Sequence, residues 1–173
     1  MKIGYDHTWT FGFLYRLAAK AHRLERMEIF RCLLVGLANR FDAVTSSFYS
    51  MSGTEPSRST EAAHDAEPVA GEIRRLSAAV AKLCRSQRSV VSVLDLPESH
   101  AADRHRIEAV LGPCDTFAFP LMAAGRLHGC IVLSLRGDEV LGDADLHALL
   151  SIGECLDAAL ANAKDADRQV DAA

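Results

Sequence analysis

Two runs of alternating apolar residues, joined by a short link, constrain this chain more than any other feature. In Phe117-Ala-Phe-Pro-Leu121, the residues Phe117, Phe119 and Leu121 alternate with smaller ones. Further on, Leu127, Gly129, Ile131, Leu133 and Leu135 alternate with His128, Cys130, Val132, Ser134 and Arg136. Period two is the period of a β-strand. The link Ala123-Ala124-Gly125-Arg126 contains a glycine free to take positive φ. Residues 116–122 and 127–136 are therefore read as an antiparallel hairpin. With Ala124-Gly125 as a two-residue turn, Phe119 falls opposite Cys130, Phe117 opposite Val132 and Leu121 opposite His128. Those residues share one face, and Ala118, Ile131 and Leu133 take the other. The face with His128 and Cys130 is the more polar, and it is the candidate pocket wall.

A sheet needs cover, and segments of helical period supply it. Trp9, Phe13, Leu17, Ala21 and Leu24 form one stripe, with Arg16, Lys20 and Arg23 on another face. A second helix is predicted over 26–39 from Phe30, Leu33, Leu34 and Leu37. Val69, Ile73, Leu76, Val80 and Leu83 put five aliphatics on one stripe over 69–85. Residues 100–111 read as a short helix closed by Gly112-Pro113. Asp143 can cap a last helix reaching about Lys164, whose stripe includes Leu146, Leu149, Leu150, Leu156 and Leu160. Residues 43–51 and 89–94 read as further strands from their β-branched and aromatic content. Residues 52–68 are polar and aperiodic and read as a loop enclosing at most a weak strand.

Strands distant in sequence, a late hairpin and helices from both chain ends predict an α+β domain with an antiparallel-rich central sheet. Its limits are set at 26–164, after a helical extension over 1–25 and before a polar tail over 165–173. An apolar share of 49% excludes a wholly disordered chain. A net charge of -4 supplies no global positive field, so no nucleic-acid partner is expected. No run approaches the roughly 18 apolar residues of a membrane span. Asp6, His7 and Arg16 break up any signal-peptide core. Cys32, Cys84, Cys114, Cys130 and Cys155 form no Cys-x-x-Cys pair, which fits reduced thiols and a cytoplasmic location.

The carboxy-terminal half resembles a GAF domain. The resemblance rests on Leu76 to Leu96, a helix feeding a strand that ends in Asp95. It rests also on Phe117-Ala-Phe-Pro-Leu121 with the following turn and Gly129-Cys-Ile-Val-Leu133, and on the helix from Asp143 with its Ala-rich end. It covers about residues 70–164. One departure stands out: the second strand of the family should closely follow Met51, where this chain is poor in strand formers. The resemblance implies terminal helices on one sheet face and a pocket under helices and loops on the other. It also implies a homodimer paired through Trp9, Phe13, Leu17, Leu149, Leu156 and Leu160.

Candidate ligand-contacting residues follow: Phe48, Asp95, His100, Arg104, Phe119, His128 and Cys130. The cluster His100-Ala-Ala-Asp103-Arg104-His105 is the most compact polar one, and the family places it beside the pocket. As a metal site it is poor, since its histidines stand five positions apart. Asp95, just before Pro97, can instead hold its turn by accepting backbone amides. The expected function is a regulatory sensory domain that binds a small molecule, signals through a helix-mediated dimer, or does both. The alternatives are an interaction-only domain with a filled pocket and an enzyme like the free methionine-(R)-sulfoxide reductases. The latter need an upstream Gly-x-Cys-Gly that this chain lacks, although Cys114 lies near the right place. No cofactor is named by these residues. No output domain is recognisable, so the chain is expected to be part of a longer regulator or to act on a partner protein.

Overall fold

The computed structural model describes residues 12, 16, 26–50, 57–63, 67–123, 125–137 and 141–170. The stripe of Trp9, Phe13 and Leu17 lies outside them, as does the side chain of Leu160. Helix α1 (Arg26–Arg40) buries Ile29, Phe30, Leu33, Leu34, Leu37 and Ala38. It closes with the Phe41 amide on the Leu37 carbonyl at 3.0 Å. Asp42 then turns the chain at φ 46° into β1 (Ala43–Ser50). Strand β2 (Ser57–Ala63) pairs antiparallel with β1, Phe48 opposite Thr60. The residues Ser-Arg-Ser-Thr-Glu-Ala-Ala have low strand propensity, so the loop reading of this stretch is corrected. Pairing with β1, which no local window contains, decides the outcome.

Helix α2 (Ala70–Gln87) follows a single turn of 3-10 helix and ends on Arg88 in the left-handed region. Strand β3 is only Val91–Ser92. The strand expected over 89–94 stops there because Val93–Asp95 winds into a 3-10 turn. A further 3-10 turn, Glu98–His100, leads into α3 (Ala101–Leu111). The hairpin is β4 (Cys114–Ala123) and β5 (Arg126–Arg136). Helix α4 (Asp143–Val170) closes the chain and continues through the stretch expected to be a polar tail. Its start is held by Asp145, whose carboxylate accepts the Gly142 amide at 3.1 Å, while Asp143 sits in the first turn.

The sheet order is β2-β1-β5-β4-β3, antiparallel throughout. This is the expected α+β architecture. Pro120 sits in β4 beyond the two residues that pair with β3, where the strand is an edge and the missing N–H leaves no gap.

The sheet separates two cores. On one face α1 and α4 pack on Phe48, Phe119, Leu121, Ile131, Leu133 and Leu135. On the other α2 and Ile107 of α3 pack on Val44, Tyr49, Ala118, Cys130 and Val132. Two glycines set the first face. A Cβ on Gly129 would lie 2.5 Å from the Phe48 ring and 2.7 Å from the Tyr49 carbonyl oxygen. One on Gly153 would lie 2.5 Å from the Met122 carbonyl oxygen, so α4 rests its backbone directly on β4.

The expected hairpin register holds for Ala123 opposite Arg126 and Met122 opposite Leu127, and then fails. A bulge follows, and Leu121 pairs with Gly129, leaving His128 as the extra residue. Beyond it every pair shifts by one. Phe119 faces Ile131, Phe117 faces Leu133 and Ala118 faces Val132. Because strands alternate with period two, this slip exchanges the faces. Phe119 therefore lies under the terminal helices and Cys130 under α2.

Candidate functional site

Apart from Tyr49, the second face of the sheet carries small side chains. Three rows cross it. Thr45, Ser134 and Thr116 form one; Ser47, Val132, Ala118 and Val91 the next; Tyr49, Cys130 and Pro120 the third. The opposite face carries phenylalanine, leucine and isoleucine instead. Helix α2 covers the small-residue face with Ile73, Leu76, Ser77, Val80, Ala81 and Cys84, one stripe at helical spacing.

The first row is a line of hydroxyls. Thr116 Oγ1 and Ser134 Oγ share a hydrogen bond of 3.0 Å. Thr45 is 2% exposed, and its Oγ1 has no hydrogen-bond partner. An unsatisfied buried hydroxyl costs about 1–3 kcal/mol, so it calls for a reason. A register shift between Ala43 and Thr45 places it there.

Helix α3 is attached lightly. Ile107 is its one buried side chain. Arg75 of α2 grips Asp103 with two nitrogens, Nη2 to Oδ1 at 2.6 Å and Nε to Oδ2 at 3.0 Å. Arg106 Nε lies 2.9 Å from Glu72 Oε1, which is also 3.6 Å from Arg75. The Arg75 guanidinium holds the Asp103 carboxyl below the usual carboxylate range, against a smaller opposing effect of burial. Both arginines are more than half exposed, and ion pairs so open to water contribute little.

The expected ligand residues do not form one site. Phe48 stacks on Phe30 of α1 at 4.2 Å and fills the space over Gly129. Phe119 is buried in the same core. His128 is exposed at the bulge. Asp95 accepts the Ser92 amide at 2.7 Å while Ser92 Oγ accepts the Leu94 amide at 3.1 Å, a reciprocal cap that fixes the turn after β3. Arg104 and Asp95 act in opposite senses on Asp115. Burial raises the Asp115 carboxyl, the Thr116 amide and Arg104 lower it, and Asp95 raises it. His100 stands before α3, where its charge helps to lower Asp103. Leu149 and Leu156 are buried within the chain's own core.

Cys130 touches Cys84 across the α2–sheet contact, and this contact and burial both push its thiol far up. Burial pushes Cys114 up to about 11. Both stay protonated near neutrality, the unreactive form of a thiol. Among the described residues, no three of His, Cys, Asp and Glu converge on a possible metal position. No described helix is long and apolar enough to cross a membrane.

The residues that reading the sequence missed are Thr45, Ser47, Ser77, Thr116 and Ser134. Each is polar, sits at a core position of its strand or helix, and is at most 3% exposed. The alternation of β5 carried the signal for Ser134, and the bulge at His128 hid its partner Thr116.

No protein-family profile matches the chain, and no curated protein matches it. Solved structures do. The GAF domain of a phosphoenolpyruvate-protein phosphotransferase from Coxiella burnetii superposes with a TM-score of 0.65 at 14% identity, over 94% of this chain and 99% of that one. Free methionine-R-sulfoxide reductase from Neisseria meningitidis, in complex with its substrate, gives 0.65 at 13% identity, over 92% and 93%. The phycoerythrobilin-bound GAF domain of a cyanobacterial phytochrome gives 0.59 at 14% identity, over 90% and 96%. With five strands in the order described, terminal helices on one face and α2 and α3 on the other, this chain has the fold of a GAF domain.

Proposed function

We propose that the chain is a regulatory sensory domain, which takes a small molecule between the second sheet face and its α2–α3 cover. The observation that carries this reading is the light attachment of α3, one buried isoleucine and ion pairs open to water, beside a buried row of hydroxyls. A cover held in this way opens at low cost and closes on a ligand. Two of the similar structures contain a small molecule, a substrate in one and phycoerythrobilin in the other. Native mass spectrometry of the protein as purified tests the reading. A discrete extra mass per chain is the expected result. No retained mass, and no stabilisation by any member of a metabolite panel, would overturn it.

Dimerisation belongs to the same proposal. Since Leu149 and Leu156 are consumed inside the chain, pairing falls to the outer faces of α1 and α4, where Val35 is 39% and Leu150 38% exposed. The same mass measurement reads the expected dimer directly. The cytoplasmic location expected from thiol usage stands with it.

A second reading, an interaction domain without ligand, has its own support. Ala118, Cys130 and Val132 are at most 1% exposed beneath α2, so this face is filled as it stands. The raised Cys114 and Cys130 thiols argue against a cysteine-based reductase.

A further inference from the structure

Other buried hydroxyls of the sheet have partners. Ser46 Oγ, on the terminal-helix face, donates to the Leu34 carbonyl at 2.8 Å. Thr116 and Ser134 satisfy one another. Thr45 Oγ1 alone in the row is left over, on the face that α2 and α3 cover. It has both a donor and an acceptor to offer.

The charge around the row is equally specific. The buried polar residues described are Thr45, Ser46, Ser47, Ser77, Thr116, Ser134 and Asp145. The one ionisable group among them, Asp145, is engaged at the start of α4 with Gly142, on the terminal-helix side. None of the three side chains of the row is ionisable, so a charged ligand seated on it would lose its hydration with no counter-charge in the row itself to replace it. A neutral ligand able to give and accept hydrogen bonds meets no such penalty.

We propose that Thr45, Ser134 and Thr116 are the recognition row for a small, uncharged, hydrogen-bonding ligand, with Thr45 Oγ1 the group that the ligand satisfies. This rests on the sensory reading above and names its ligand class. The row is closed in this structure, and a ligand reaches it only when part of the α2–α3 cover moves away.

Acetamide and acetate have nearly the same shape and differ in charge, so they separate the alternatives. A ligand of four heavy atoms can reach millimolar affinity. The protein, labelled with carbon-13 at its threonine methyl groups, is titrated with each through the millimolar range. Acetamide is expected to shift the Thr45 and Thr116 methyl signals saturably, and acetate is not. In Thr45→Val the Thr116 signal no longer responds to acetamide. That variant also melts roughly 2 °C higher, because the orphan hydroxyl is gone. In Thr45→Ser the response returns. Equal shifts from acetate, no saturable shift from acetamide, or a Thr45→Val protein that melts lower would each overturn the proposal. The native mass measurement keeps the two readings apart. A charged molecule retained on the purified protein, with silent Thr45 and Thr116 methyl groups, leaves the sensor standing and removes the row.

Discussion

At the residue scale the fold turns on places where a side chain is absent or already committed. Gly129 exists for Phe48. Adding one methyl drives it into the ring and into the Tyr49 carbonyl, and overpacking of this kind costs about 1–3 kcal/mol. Gly129→Ala is therefore expected to lower the unfolding free energy read from a urea titration by that much. Phe48→Ala, which empties the stack on Phe30, is expected to cost about 3–5 kcal/mol in the same measurement. Both effects belong to stability. Asp115 makes a prediction of opposite sign. Burial raises its carboxyl, so its contribution to stability is full below the unfolded carboxylate value and is lost as pH rises through the higher folded one. At neutral pH the charged form is a liability. Asp115→Asn is expected to melt above the unmodified protein at pH 7, with the gap closing as the pH falls below the carboxylate range. A constant gap across that range would mean that Asp115 does not titrate differently in the folded state.

Among the elements, α3 is the one set apart by its attachments. Replacing Asp103 by Asn removes the partner of Arg75. Hydrogen exchange is expected to speed up along 101–111 and to stay unchanged in β5. The sign with pH follows from the lowered Asp103 carboxyl. Its contribution is complete above the ordinary value of 3.8 and disappears only as pH falls through the lower folded value. Loosening of α3 by acid should therefore begin below that ordinary value, and added salt should mimic it at neutral pH. The elements also mark what the sequence made legible. The helices at 26–40 and 70–87 were readable because their buried residues repeat at local spacing, and the one at 101–111, with a single buried side chain, from its close at Gly112-Pro113. So was the Ala124-Gly125 turn. The bulge one step later was not, because the extra residue His128 keeps its polar side chain exposed, as plain alternation also allows. Its consequence was large: it carried Phe119 away from the pocket face and put Thr116 opposite Ser134. Strand β2 was hidden for a different reason. Its partner in β1 supplies the order that Ser57 to Ala63 lack.

For the whole molecule, two cores share one sheet, so they are expected to fail together. Probes placed on either face should report coincident unfolding transitions, and separated midpoints would mean two independent halves. The sharing is closest in β5, the central strand. From Cys130 to Leu135 its residues pass alternately into one core and the other. Cys130 and Val132 touch the cover of α2, while Ile131, Leu133 and Leu135 touch the terminal helices. Successive residues of a strand are about 3.4 Å apart. The partition between the two halves of this protein is thus a diaphragm a single peptide thick, with no slack layer to absorb a push. Any displacement of the strand that seats Cys130 and Val132 is, by the same backbone bonds, a displacement of Ile131 and Leu133 beneath α1 and α4.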